Sequence, residues 1–145
     1  MFLFEFPQNL MGYLAYMYYT KGSNRPHYKY KDAYVVHVPG RWGAISLSRF
    51  IFADDVYYRS DMVKHEYGHT MQSKRLWILY LPVIGIPSLV WNRLFKNYRI
   101  RNQKSYYGFY TESWANRLGG FEEKVNQYKS EWIPRMVSTF FFYSY

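Results

Sequence analysis

Hydrophobic and polar positions follow two periods along this chain, and the changes of period mark its elements. Residues 7–20 are mostly apolar, with Pro7 suited to a first helical turn and Gly22 placed just past an end. This predicts a helix over 7–20 with Leu10, Leu14 and Met17 on one face and Tyr13, Tyr16 and Tyr18 around it. Such a helix belongs in a core or on a membrane surface. No basic start or small-residue cleavage site marks a signal peptide, and the compartment stays open. Residues 21–32 turn polar, with Arg25, Lys29 and Lys31 interleaved among His27, Tyr28 and Tyr30. They read as a loop that is either solvated or able to hold a phosphate or headgroup.

The pattern then becomes β-prone. Residues 33–38 are rich in Tyr and Val and stop at Pro39-Gly40, and residues 42–47 and 49–52 form a second run with Gly43 marking a bend. Residues 53–55 read as a loop. The break at Pro39-Gly40-Arg41 suits a turn between antiparallel strands, which predicts a small antiparallel sheet. An exposed edge of that sheet could bind an extended peptide by main-chain pairing.

Helical spacing returns over residues 61–75, with Ser60 or Asp61 as the cap. This helix carries His65-Glu66-Tyr67-Gly68-His69. Residues four apart share a helical face, so His65 and His69 can present two imidazoles to one metal ion, with Gln72 close to the same face. Glu66 stands beside them as a candidate general base. Chance yields such a match about once in 200 chains of this length, so a third ligand has to decide the matter. Gly68 costs roughly 1 kcal/mol relative to Ala in a helix, which points either to a close approach of the metal site to the sheet or to a substrate, or to a packing constraint there.

Residues 76–91 carry no charge and read LWILYLPVIGIPSLVW. The run is short of the ~20 residues of a transmembrane helix, and Pro82 and Pro87 interrupt it. Lys74 and Arg75 precede it, and Arg93, Lys96, Arg99, Arg101 and Lys104 follow. It reads as a hairpin, either buried over the core or dipping into an anionic membrane surface. A second helix is predicted over 106–118, ended by Gly119-Gly120. It carries Glu112, flanked by Tyr110, Trp114 and Ala115, and Asn116 four residues on. If Glu112 shares a metal with His69, residues 76–91 must double back, because a single crossing would part the two by about 30 Å. Beyond it, a short helix is predicted over 122–129 and a β-prone or membrane-seeking end over 139–143.

The pairing of HEYGH with Thr111-Glu112-Ser113-Trp114-Ala115-Asn116 resembles the gluzincins, the thermolysin-like zinc metallopeptidases. That class joins HExxH to a downstream helix bearing a Glu ligand, often within NExxxD. The resemblance implies a zinc site of His65, His69 and Glu112, and Asn116 as the partner that holds the other nitrogen of His65. Two positions depart from the pattern: Thr111 stands for Asn, and Asn116 for an Asp, so the bond to the ligand is accepted without a negative charge. A metzincin would need Gly and His where Gln72 and Arg75 stand, and an aspzincin-like ligand would need an Asp after Asp61, where there is none. FPQ near the start, the ISLSRFIF run, HEYGHTMQS, LYLPVIGIPS and YYGFYTESWANRLGG are also similar to a group of small bacterial HEYGH-containing proteins. That likeness runs from Phe6 to Gly120.

Composition narrows the chemistry. The chain has 145 residues, 49% of them hydrophobic and 23% aromatic, which suits one folded domain over 1–145. There is no Cys, so thiolate zinc sites and Cys nucleophiles are excluded. The net charge of +9 favours an anionic partner such as a lipid surface. No RNA- or DNA-binding signature accompanies it, which argues against nucleic acid. The fold class expected is α+β: a minimal zincin-like domain with a small antiparallel sheet before an active-site helix and a hydrophobic helical hairpin after it. The function expected is a zinc-dependent metallopeptidase acting on a peptide or protein substrate through metal-activated water, with Glu66 as general base. Tyr107, Tyr110, His27 and His37 are the candidate oxyanion donors. The alternative is a non-catalytic metal-binding protein or a membrane-surface interaction protein.

Overall fold

Two strands sit at the centre of the molecule because each sends apolar side chains to both faces. They are β2 (Ala33–His37) and β4 (Phe50–Ala53). In the computed structural model, which describes residues 6–122, Ala33, Val35, Ile51 and Ala53 pack to one side of the sheet. Val36, Phe50 and Phe52 pack to the other. The outer strands are β1 (His27–Tyr30), beside β2, and β3 (Ala44–Leu47), beside β4.

The sheet precedes the motif-bearing helix as expected, and it is mixed rather than wholly antiparallel. β1–β2 and β3–β4 are antiparallel, while β2 and β4 run parallel with Tyr34 opposite Phe50 and His37 opposite Ala53. The bend at Pro39-Gly40-Arg41 does not fold 42–47 back onto β2. It starts a crossover of about a dozen residues, the length a parallel pair needs, and β3 lies within it. The 42–52 run is itself broken by a two-residue turn at Ser48-Arg49, where Ser48 takes φ 55°. Residues 27–30, read as loop, form β1 instead: Lys31 at φ 53° makes the turn into β2, and Tyr28 and Tyr30 pack against the core.

Asp54 fixes the strand ends. Its Oδ2 accepts from the Trp42 and Gly43 amides at 2.8 Å each, and its Oδ1 accepts from Val56 and Tyr57 at 2.9 Å each. Burial alone would raise its pKa, and these four N–H donors outweigh that and hold it below the ordinary carboxylate value.

Helix α1 (Phe6–Met17) covers the Phe50 face of the sheet, and a wide π-helical turn, Tyr18–Gly22, follows it. Ala15, Tyr16 and Tyr19 pack against Val36, Phe50 and Phe52. Gly12 sets the approach, since a Cβ there would lie 2.7 Å from the Leu47 carbonyl oxygen. The stripe of Leu10 and Leu14 faces outward instead. α1 is apolar on every side, so its period could not say which face turns in. Helix α2 (Met62–Leu76) covers the other face through Val63 and Tyr67, and the Ser60 hydroxyl accepts from the Met62 amide at its start.

α2 ends at Trp77, whose φ of 54° and ψ of −122° belong to a region that favours glycine. The chain reverses there and returns through Trp77–Leu79, Leu81–Gly85 and helix α3 (Ile86–Arg93), completing a helical hairpin. No helix among the described residues is long and apolar enough to cross a membrane. Tyr80 and Ile84 are buried, whereas Trp77, Ile78, Leu79, Val83, Ile86 and Leu89 are exposed. Helix α4 (Lys96–Arg101) leads to a short turn, Tyr106–Gly108, and then to helix α5 (Tyr110–Gly119). Trp91 stacks on Phe109 with ring centroids 4.8 Å apart, which ties the hairpin to the approach to α5. The sheet, the motif-bearing helix and the helical hairpin make up the α+β zincin-like arrangement. The predicted segments 122–129, beyond Glu122, and 139–143 lie outside the described residues.

Candidate metal centre

Two backbone contacts bring α2 and α5 together. A Cβ on Gly68 would sit 1.9 Å from the Ala115 carbonyl oxygen, and one on Gly119 would sit 1.8 Å from that of Lys64. Both positions therefore have to be glycine for the helices to cross this closely. The constraint at Gly68 is therefore one of helix packing against α5, not an approach to the sheet or to a substrate. Gly120, at φ 70°, ends α5, and Phe121 then turns its ring toward His65 at 5.9 Å.

The crossing sets Glu112, fully buried in the first turn of α5, against two successive turns of α2. Glu112 Oε2 lies 3.1 Å from His65 Nε2 and 3.3 Å from His69 Nε2. The three side chains can offer one ligand atom each within 4.8 Å of one another. The other ring nitrogens are held by amide oxygens: His65 Nδ1 is 2.5 Å from Asn116 Oδ1, and His69 Nδ1 is 2.7 Å from Gln72 Oε1. Gln72 cannot be turned around, because its Nε2 donates to the Thr111 carbonyl at 2.7 Å.

These partners test whether the donor set suits a cation. An amide oxygen only accepts, so each Nδ1 must carry the proton. In a neutral ring the Nε2 lone pair then faces Glu112 Oε2, so three acceptors converge on one point. That arrangement calls for a positive charge, either a metal ion or protons on the imidazoles. Two imidazole nitrogens and a carboxylate oxygen match a borderline-soft divalent ion such as zinc. Without a metal, burial alone would lower the pKa of His69, but the Glu112 carboxylate outweighs it and pushes it up to about 9. For Glu112, burial would raise the value, and the contacts with His65 and His69 hold it far below the ordinary carboxylate range.

Supporting contacts surround the cluster. Glu112 Oε1 accepts from Thr111 Oγ1 at 3.1 Å and touches Ser88 Oγ of α3, which is itself 2.9 Å from Thr111 Oγ1. One carboxylate oxygen is thus occupied by hydroxyls and the other faces the imidazoles. Glu66 is buried beside them, with Ser46 Oγ of β3 at 2.7 Å from its Oε2 and 2.9 Å from its main-chain oxygen.

The four tyrosine and histidine candidates are placed differently. The Tyr107 ring is 5.1 Å from that of His65, but its hydroxyl points at Met62 Sδ, 3.6 Å away. The Tyr110 hydroxyl donates to the Val83 carbonyl at 2.6 Å. His37 and His27 stand on the sheet outside the cluster, His37 bound to Asp55 at 2.6 Å and His27 facing the Arg25 carbonyl at 3.1 Å.

The sequence reading missed Ser46, Ser88, Tyr80 and Tyr106. Burial, with the nearby Glu66 and Glu112 charges, raises the phenol of Tyr80 above its ordinary value. Burial and Glu112 do the same to Tyr106. One signal was available: Tyr80 and Ser88 carry the only hydroxyls in the apolar run 76–91, and Ser88 meets Glu112 while Tyr80 is buried. Compared with models of protein families, with curated proteins and with solved structures, the chain matches none.

Proposed function

We propose that this protein is a zinc-dependent metallopeptidase. The observation that carries this reading is the convergence of His65 Nε2 and His69 Nε2 on Glu112 Oε2, with both Nδ1 atoms already pinned by amide oxygens. His65, His69 and Glu112 would hold the ion, and Asn116 and Gln72 would fix the two imidazole tautomers. Bound there, zinc supplies a Lewis acid that makes water acidic near neutral pH and polarises a carbonyl oxygen.

Glu66 would take a proton from the attacking water and deliver it to the amine nitrogen as the C–N bond breaks. Ser46 orients that carboxylate from the edge strand. Among the described residues β3 pairs in the sheet with β4 alone, so an extended peptide could add at its other side by main-chain pairing. The substrate would then lie beside Glu66.

The reading is tested with Glu66→Gln and Glu112→Ala, assayed for metal by elemental analysis and for hydrolysis on a peptide library. Glu66→Gln should retain zinc and lose activity by at least about a hundredfold. Glu112→Ala should lose both zinc and activity. Zinc in both variants at wild-type level would remove the ligand assignment. A wild type that holds zinc but cleaves no peptide would assign the protein to metal binding without turnover.

A further inference from the structure

The hairpin has two faces with different chemistry. Its inner face supplies Tyr80, Ile84 and Ser88 to the molecule's interior. Its outer face presents Ile78 at 68% exposure, Trp77 at 49% and Leu94 at 75%, together with Leu79, Val83, Ile86 and Leu89. Ile86, Pro87, Val90, Trp91, Phe95 and Phe109 also line an apolar cleft on this part of the molecule. α1 adds to the same region. The Gln8 amide donates to the Trp77 carbonyl at 3.0 Å, so α1 starts beside the hairpin turn, and Leu10, Met11 and Leu14 are exposed along it. Scattered surface leucines are ordinary, but a grouping of this size marks a contact surface.

Charge says what the contact is with. Residues 67–111 contain seven Lys and Arg and no Asp or Glu. Lys74 is engaged by Asp32, and Arg99 by the Trp91 carbonyl and the Trp91 and Tyr106 rings. Arg75, Arg93, Lys96, Arg101 and Lys104 are exposed around the apolar residues. A second copy docking face to face would set these cations against one another. A nucleic acid would meet aliphatic side chains where it needs polar or stacking groups. An anionic bilayer matches both parts, taking apolar side chains below its headgroups and cations among them.

Backbone strain points the same way. Trp77 is held in a conformation that favours glycine, and the effect is to project an indole outward at the hairpin's tip. Tryptophan is enriched at the bilayer–water boundary.

We propose that the outer face of residues 77–95, with the outer face of α1, forms a monotopic docking surface for a membrane bearing anionic lipids. The surface is separate from the metal ligands, so it stands or falls independently of the peptidase reading. The test is flotation of the full-length chain with vesicles of phosphatidylcholine, with or without phosphatidylserine. Partition onto phosphatidylserine vesicles should exceed that onto neutral ones by about tenfold or more and should fall as salt rises. Ile78→Glu, and separately Arg93→Glu with Lys96→Glu, should each lower it about tenfold. All of these side chains are exposed, so the variants keep the fold, which circular dichroism verifies. The proposal is overturned if the wild type ignores phosphatidylserine vesicles, if either variant binds like wild type, or if Ile78→Glu instead dissolves a dimer of a chain that binds no vesicle.

Discussion

Helices α1 and α2 cover opposite faces of one sheet and treat polarity in opposite ways. α2 buries His65, Glu66, His69, Thr70, Gln72 and Ser73. α1, far more apolar, buries only Gln8 and Gly12 among residues 7–17 and leaves Leu10, Met11, Tyr13 and Leu14 exposed. The difference follows from partners. The site residues on α2 meet groups of matching chemistry: Gln72 joins His69 to the Thr111 carbonyl, and Ser46 meets Glu66. A buried polar group with a partner costs little, and one without a partner costs about 1–3 kcal/mol. On α1, by contrast, Gly12 selects the inward face by backbone fit, Ala15 and Tyr16 pack beside it, and Leu10, Met11 and Leu14 are left outside.

The comparison breaks most severely at the helix crossing. Gly68→Ala places a methyl group on the Ala115 carbonyl, where no side chain can give way. A loss of roughly 3 kcal/mol in urea unfolding is expected, with zinc affinity falling as α5 is pushed back. A variant as stable as wild type would show that the crossing is not what keeps α2 polar and buried.

Removing the metal gives the next largest effect. In metal-free protein the pKa of His69 is raised from 6.5 to about 9. A raised value in the folded state means that the contribution to stability is complete below the unfolded pKa and is lost as pH rises through about 9. The melting temperature of metal-free protein should therefore drop between those limits, by the equivalent of about 3 kcal/mol. Zinc-loaded protein should stay flat there, because its imidazoles have already given up the Nε2 proton. Parallel curves for the two forms would contradict the converging-acceptor geometry.

The smallest effect belongs to α1. Leu14→Ser removes an apolar side chain that faces water, so denaturation should move by less than about 0.5 kcal/mol. A larger loss would mean that this face is covered within the folded chain.

These residues also show why some of the molecule could be read from sequence and some could not. His65, His69 and Gln72 share a helical face by spacing alone, whereas Glu112 and Asn116, one turn apart on a second helix, stood out only through the likeness to the gluzincin pattern. The hairpin's reversal followed from requiring His69 and Glu112 to meet. The parallel pairing of β2 with β4 was invisible, because Pro39-Gly40 looks alike whether it begins a hairpin or a crossover. β1 was hidden by its Lys and His residues, whose side chains alternate outward while Tyr28 and Tyr30 face the core. Ser46 and Ser88 come from elements distant in sequence from Glu66 and Glu112, and no period links them.

The glycine crossing also bears on chelation. His69 and Glu112 are 43 residues apart, a loop whose closure has a real entropic cost. Helix pairing through Gly68 and Gly119 closes that loop without an ion, and the amide oxygens of Asn116 and Gln72 fix the two rings. An arriving ion therefore meets a rigid tridentate chelator instead of gathering three mobile side chains. Little conformational entropy is left to lose on binding, so coordination and release can follow ligand exchange and proton displacement without waiting on refolding of the chain.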